Sequence, residues 1–351
     1  MTRAPSTLRT WRRRLALLAC ATAASLVVAE IAARLVVAYM TSRVPTAPRT
    51  GSEVPLSYMV RPAAHPDIVY ELQPQLDCVF QGVSVRTNEH GWRGPAYPVT
   101  RPANGLRVLA LGDSVLFGWG VDWEHTGVAR LQARLQQALP DRVVEVIGTG
   151  VPGYNTAMQA AVLQHHGLTF APDIVLVDFV GNDLQLPNFL LAPPDCWRLD
   201  RSFVLDLARR LRRSHWMNPW LPFEAAPLLG GGQYESDPER VPPAYRHLVG
   251  IDAYRRALGT ILELGRERGF RVLVATHYGL STPVRAVCDE LAVPVVDCAA
   301  RIDDWLRERG VAYLDSELVL RADDPHPSPL LHDWWAEAVC TRLAGLRWLP
   351  E

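Results

Sequence analysis

The amino-acid sequence predicts an α/β fold, in which a central parallel sheet of five strands is covered by helices on both faces. From Arg107 onward, short apolar runs alternate with longer segments of helical periodicity, a pattern that is typical of right-handed βαβ units. The apolar runs lack the polar alternation of half-exposed strands, as expected for strands buried on both faces. With 351 residues, the chain can form one large domain with additional segments.

The predicted strands are apolar runs bounded by glycine or polar residues, and they are 107–111, 143–147, 173–180, 271–276 and 293–297. The predicted helices carry apolar residues at helical spacing, and they are 127–139, 156–166, 248–268, 283–291, 299–309 and 332–346. Residues 184–246 interrupt this order with many prolines and three consecutive glycines. Because this interval is too long for an ordinary loop, we expect an insertion, either a lid that binds substrate or a flexible excursion. A short basic helix from Phe203 to Arg213 is predicted within it.

A basic stub and an apolar segment occupy residues 1–40. Five arginines precede residues 15–29, which are uncharged, and apolar character continues to Met40 except at Glu30 and Arg34. The whole segment is long enough to span a bilayer, and Glu30 and Arg34 can pair four residues apart. We expect an uncleaved anchor with a cytoplasmic N-terminus, since arginines precede it. A cleaved signal peptide is the alternative, but the Ala-Thr-Ala site at 21–23 leaves too short an apolar region before it.

Charge, cysteines and motifs limit the function classes. The net charge of -1 provides no electrostatic basis for binding nucleic acid, so we expect no nucleic-acid partner. The six cysteines lack metal-ligand spacing, and their pairing stays open. No dinucleotide or phosphate-binding glycine motif follows a strand, so we expect no cofactor and no metal. Residues 41–104 are predicted to be a linker and ordered lead-in, and residues 105–351 the main domain.

Polar motifs cluster where predicted strands end. Ser114 follows the first strand in Gly-Asp-Ser, Gly153 lies in the segment after the second, and Asn182 and Asp183 follow the third. A final motif containing Asp323 precedes the closing helix. Because parallel strands end at one edge of a sheet, we expect these residues to lie close together.

Acyl transfer by a serine requires a nucleophile, a base, a group that orients the base, and donors for the oxyanion. We expect Ser114 to be the nucleophile and His326 the base. Asp323, three residues before His326, is the expected orienting carboxylate, with Asp324 as its competitor. Within the same scheme, the expected oxyanion donors are the Ser114 and Gly153 N–H groups and the Asn182 side-chain amide.

Two further polar residues are candidates for substrate contact. His277 follows the fourth strand and is directed towards the same edge of the predicted sheet. Asp183 follows Asn182, and bracing of its own loop is the favoured role for it, with substrate contact as the alternative. For both residues a structural role is favoured over substrate contact.

Together these motifs resemble the four blocks of the SGNH/GDSL hydrolase family. Ser114, Gly153 and Asn182 match the first three blocks, and Asp323 with His326 matches the fourth. The resemblance covers residues 107–346 and implies a three-layer α/β/α sandwich of flavodoxin-like topology. The basic stub, the anchor and the segment 88–94 resemble the membrane-anchored bacterial branch. The chain departs from the family pattern at Val115 and Val180, where leucine and glycine are usual.

The resemblance implies an enzyme, a serine esterase or deacetylase that acts through an acyl-enzyme. Its expected substrate is an O-acyl ester. The ester is either a small molecule or part of a carbohydrate of the cell envelope or the extracellular space. The alternatives are a polysaccharide O-acyltransferase with the same triad and a non-catalytic module of an export or assembly machine. The expected location is a single-pass membrane protein, bound to the lipid bilayer by its N-terminal helix, with the catalytic domain on the extracytoplasmic side.

Overall fold

The computed structural model describes residues 7–43, 51–191, 195–215, 217–221, 223–225, 228–229 and 233–350. The chain divides into two compact units. The anchor unit comprises Met1–Pro45 and Ala192–Pro222, and the sheet unit comprises Thr46–Leu191 and Phe223–Glu351. The predicted insertion at 184–246 is therefore divided between the two units.

Strands and α-helices are numbered in chain order among the described residues. The strands are β1 (Val60–Pro62), β2 (Tyr70–Leu72), β3 (Asp77–Phe80), β4 (Val83–Arg86), β5 (Gly105–Leu111), β6 (Val143–Gly148), β7 (Ile174–Asp178), β8 (Phe189–Leu191), β9 (Phe223–Ala225), β10 (Leu228–Leu229), β11 (Gln233–Tyr234), β12 (Arg271–Thr276), β13 (Val295–Asp297), β14 (Val319–Arg321) and β15 (Asp324–Pro327). The helices are α1 (Thr7–Ser42), α2 (Leu56–Met59), α3 (Ser114–Phe117), α4 (Gly127–Ala138), α5 (Thr156–His165), α6 (Phe203–Arg212), α7 (Ile251–Arg268), α8 (Thr282–Glu290), α9 (Ala299–Arg309) and α10 (Pro329–Gly345).

The central sheet is parallel and has the strand order β13-β12-β7-β5-β6. Strand β5 lies between β6 and β7, and its Val108 pairs with both Val146 and Ile174. The chain thus moves from β5 to one side of the sheet and then crosses to the other. Such a reversal leaves a crevice at the carboxyl ends of the strands, which is where open α/β sheets bind ligands.

Successive residues of β5 face opposite layers of helices, because strand side chains alternate. Val108 and Ala110 pack with residues of α4, α9 and α10. Leu109 and Leu111 pack with residues of α5, α7 and α8. The predicted α/β/α architecture with five central strands is therefore confirmed.

The helices agree with the sequence prediction except at two N-termini. Helix α7 begins at Ile251, because a 3-10 helix (Pro243–Leu248) and Gly250, with a φ of 86°, come before it. Helix α10 begins at Pro329, earlier than predicted. Proline is favoured in the first turn of a helix, where its missing N–H leaves no hydrogen bond unmade.

Residues of the predicted lead-in brace the segment that follows β5. The buried Arg93 donates hydrogen bonds to the carbonyls of Phe117, Gly118 and Val121 at 3.0, 2.7 and 2.7 Å. Burial lowers the pKa of Arg93 to about 10, which still leaves the guanidinium charged at neutral pH. The lead-in thereby holds the C-terminal end of α3 in place.

Helix α1 is long and apolar enough to cross a membrane. Every residue from 10 to 29 is exposed within the anchor unit. From residue 30 onward, one face of α1 packs against α6 and the residues before it, with Ala33, Val37 and Phe203 buried between them.

Candidate active site

A sharp turn at the end of β5 places Ser114 at the edge of the sheet. Gly112 is required there, since a Cβ would lie 2.5 Å from the Cβ of Leu116. The Asp113 carboxylate then accepts a hydrogen bond from the N–H of Val115 at 2.8 Å and caps α3. As the first residue of α3, Ser114 has an N–H without a partner inside the helix.

The imidazole of His326 lies against the Ser114 hydroxyl. Its Nε2 is 2.9 Å from Ser114 Oγ, and its Nδ1 is 2.6 Å from Oδ1 of Asp324. Serine, histidine and aspartate side chains from two distant parts of the chain thus form one continuous hydrogen-bonded relay.

The expectation that Asp323 orients His326 is corrected by this geometry. Asp324 and His326 belong to β15, and residues two apart in a strand point to the same face, whereas residues three apart do not. The Asp323 side chain is 85% exposed and lies 3.3 Å from Nε of Arg321. Asp324, the competitor considered from the sequence, occupies the orienting position.

The surroundings of Asp324 determine the tautomer of His326. Burial alone would raise the pKa of Asp324, but hydrogen bonds from the imidazole and backbone N–H of His326, together with one from Trp119, outweigh it and lower the pKa. An ionised carboxylate only accepts hydrogen bonds, so Nδ1 of His326 carries the hydrogen. Nε2 is therefore the acceptor for the Ser114 hydroxyl.

Trp119 contacts both Asp324 and His326. Trp119 was not identified from the sequence as a residue of the site. Its indole N–H donates to Oδ2 of Asp324 at 3.1 Å. Its ring stacks on the His326 imidazole, with 4.8 Å between centroids and 8° between planes. Gly118, with a φ of 78°, ends α3 immediately before it. A glycine followed by an aromatic residue soon after the serine is the signal that could have indicated this role.

Asn182 and Gly153 border the same cleft as Ser114. The Asn182 amide donates one hydrogen to Asp113 at 2.9 Å, which leaves its second hydrogen for an acceptor in the cleft. Gly153 has a φ of 82°, and a Cβ there would lie 2.2 Å from Cγ of Asn188. Burial raises the pKa of the Asp113 carboxyl, although the hydrogen bonds from Asn182 and Val115 oppose this.

The cleft above Ser114 has a volume of about 550 Å³. Aromatic rings and side-chain amides form much of its wall; its lining residues are Asp113, Ser114, Val115, Trp119, Gly153, Val180, Gly181, Asn182, Asn188, Tyr278, Tyr313, Pro325 and His326. Among the described residues, no group of three or more His, Cys, Asp or Glu side chains could hold a metal ion.

His277, a candidate for substrate contact, is not placed to make that contact. It is fully buried, stacked on Trp335, with its Nε2 2.9 Å from Nδ1 of His332 and its Nδ1 3.2 Å from Asp178. Burial lowers the pKa of His277 to about 3, so its imidazole is neutral.

Asp183 is likewise directed into the protein. Its carboxylate accepts hydrogen bonds from the Thr156 hydroxyl at 2.6 Å and the Gln159 amide at 2.9 Å, and only 2% of the residue is exposed. Burial raises its pKa well above the ordinary value. Asp183 therefore braces its loop against α5, which is the role that the sequence favoured over substrate contact.

The α/β/α fold, together with motifs that follow one another along the chain and meet at the edge of the central sheet, defines an ester hydrolase. Residues 110–335, well over half of the chain, match the GDSL-like lipase/acylhydrolase family. The chain therefore belongs to this family.

Several solved structures are similar to the chain at low identity. The acetyl xylan esterase AlAXEase is 13% identical, covers 68% of this chain and 100% of its own, and gives a TM-score of 0.41. A lipase/acylhydrolase from Enterococcus faecalis is 16% identical over 69% of this chain and 96% of its own, with a TM-score of 0.38. A catalytic mutant of an acetylxylan esterase from Geobacillus stearothermophilus is 17% identical over 72% and 100%, with a TM-score of 0.42. No curated protein matches the chain in sequence.

Because Trp119 both hydrogen-bonds to Asp324 and stacks on His326, we expect its replacement to slow catalysis. Trp119→Phe keeps a ring over His326 but removes the N–H that holds Asp324, so kcat for a soluble ester should fall about 10-fold with KM nearly unchanged. Steady-state kinetics would check this, with Trp197→Phe as a matched control, since Trp197 is 90% exposed and belongs to the anchor unit. Equal kcat values for wild type and Trp119→Phe would contradict the positioning role.

Proposed function

We propose that the protein is a serine esterase in which Ser114, His326 and Asp324 form the catalytic triad. The observation that carries the proposal is the relay from Ser114 Oγ to His326 to Asp324, at 2.9 and 2.6 Å, beside an open cleft. His326 takes the hydroxyl proton while the Ser114 oxygen attacks the ester carbonyl carbon. Asp324 stabilises the imidazolium that forms.

The negative charge then develops on the former carbonyl oxygen. In our proposal the N–H groups of Ser114 and Gly153 and the Asn182 amide donate to this oxygen. Collapse of the tetrahedral intermediate breaks the ester C–O bond, and the imidazolium gives its proton to the leaving alcohol. Water, deprotonated by His326, then attacks the acyl-serine and releases the carboxylic acid and free Ser114.

For the substrate, we propose a short O-acyl ester of an envelope or extracellular carbohydrate. The cleft presents Tyr278, Tyr313 and the amide of Asn188 around the serine. Aromatic faces pack against the apolar face of a sugar ring, and amides form hydrogen bonds with its hydroxyls.

We further propose that α1 spans the membrane with its N-terminus in the cytoplasm and the sheet unit on the other side. The arginines before residue 15 support this orientation, since positively charged flanks stay cytoplasmic. Protease added outside intact spheroplasts should digest the sheet unit and spare the residues before Leu15. Protection of the sheet unit would contradict the orientation.

Covalent chemistry at Ser114 can be tested directly. Brief incubation of the protein with a short-chain acyl ester should produce a mass increase of one acyl group on the peptide containing Ser114. Ser114→Ala should lose both the adduct and turnover, whereas Asn182→Ala should keep the fold and lose roughly 10²–10³ in kcat. Turnover without any adduct on Ser114 would contradict the acyl-enzyme.

Addition of an acceptor sugar then shows whether the acyl group passes to water or to the sugar.

The two adjacent aspartates provide a matched pair of variants. Asp324→Asn should lower kcat by roughly 10³–10⁴, because a neutral amide no longer selects the tautomer of His326 or stabilises its charged form. Asp323→Asn removes the same charge one residue earlier from an exposed side chain, and it should leave kcat unchanged. The reverse order of effects would assign the orienting role to Asp323 instead.

A further inference from the structure

Two charged residues of α1, Glu30 and Arg34, have partners far along the chain. The Glu30 carboxylate accepts hydrogen bonds from the N–H groups of Phe203 and Val204, at 2.8 and 3.3 Å, and from the Ser202 hydroxyl at 3.0 Å. Glu30 therefore caps the N-terminus of α6, where the helix has unpaired N–H groups.

Arg34, one helical turn further on, holds the residues that precede α6. Its guanidinium donates to the carbonyls of Cys196 and Arg198, lies 3.0 Å from Glu30, and covers the ring of Phe203 at 4.6 Å. Residues 195–213, the docked segment, are thus fixed to the second half of α1 by hydrogen bonds and by packing.

The contact between α1 and the docked segment begins where the exposed apolar part of α1 ends. Residues 15–29 are uncharged and exposed on all sides, and they extend about 22 Å along the helix axis. The hydrocarbon core of a bilayer is about 30 Å thick, so a span that starts near Leu15 ends near Arg34. If α1 spans the membrane as proposed above, the docked segment lies at the level of the lipid headgroups.

The docked segment exposes apolar side chains although it is attached to the protein. Trp197 and Leu199 are 90% and 92% exposed, and both lie in the turn held by Arg34. On α6, Val204, Leu205 and Leu211 are 40%, 57% and 55% exposed. Tryptophan is enriched at membrane interfaces, where an apolar ring and a polar N–H are both satisfied.

Basic residues accompany these apolar side chains. Arg209 and Arg212 are exposed and flank Leu205 and Leu211 on the helix. The segment 195–213 contains six arginines and three aspartates. The aspartates at 200 and 206 pair with arginines of the segment itself, so the excess charge is positive. An amphipathic helix with arginines beside its apolar face is typical of binding to anionic membrane surfaces.

We infer that the docked segment is a lipid-binding element that lies in the headgroup region of the membrane in which α1 is anchored. Trp197, Leu199 and the apolar face of α6 enter the boundary between headgroups and acyl chains, and Arg209 and Arg212 bind anionic headgroups. Continuity with α1 favours this partner, because its uncovered residues Ile31, Leu35 and Tyr39 form an exposed apolar stripe next to the docking site. The inference depends on the proposed insertion of α1.

Hydrogen–deuterium exchange of the full chain in nanodiscs would test this inference. The discs would contain phosphatidylcholine alone or phosphatidylcholine mixed with phosphatidylglycerol. We expect the amides of α6 to exchange about 10-fold more slowly in the anionic discs than in the neutral discs. The double variant R209Q/R212Q should lose this difference. The double variant L205E/L211E should increase exchange in both lipids.

The control replaces exposed arginines of the sheet unit. R307Q/R309Q changes the same charge on α9 and should leave α6 exchange unaltered, and slow exchange of β5 and β7 in every variant reports an intact fold. Identical α6 exchange in wild type, R209Q/R212Q and L205E/L211E would overturn the inference. The occupant of the apolar face of α6 would then be a protein partner. Slow exchange of residues 15–29 tests α1 insertion separately, so failure of the anchor is distinguishable from failure of the docked segment.

Discussion

The parallel register of β5 between β6 and β7 is the constraint on which the site depends. Because the three strands run the same way, the segments after Leu111, Gly148 and Asp178 all emerge at one edge of the sheet. Backbone pairing therefore brings Ser114, Gly153 and Asn182 to the same edge of the sheet, and the hydrogen bond from Asn182 to Asp113 links two of these segments. His326 reaches the same edge from β15, outside the central sheet, so its position needs additional support from Trp119 and Asp324.

Gathering polar groups at a buried edge has an electrostatic cost. Asp113, Asp178 and Asp183 are all buried there, and burial raises the pKa of each carboxyl. Donors from neighbouring elements offset the cost for Asp113 and Asp183, and one of them, the Asn182 amide, is itself proposed to bind the oxyanion. The Asn182 amide thus both satisfies the buried Asp113 carboxyl and borders the cleft above Ser114.

Periodicity and turn residues predict the framework well, because each depends on neighbours in sequence. All five strands of the sheet and the position of Ser114 follow from such local signals. The choice between Asp323 and Asp324 does not, since it depends on whether His326 lies in a loop or in a strand. Asp323 is the match to the family spacing, and only the alternation of β15 places Asp324 beside the imidazole.

Partners distant in sequence could not be predicted in the same way. The pairing of Glu30 with Arg34 follows from their spacing and is present at 3.0 Å, but their hydrogen bonds to residues 196–204 connect segments more than 160 residues apart. Arg93 likewise shows its role only in the fold, where four carbonyls accept from it. A charged group removed from water needs compensating partners. A charge within an apolar stretch therefore indicates that partners exist, and the tertiary structure identifies them.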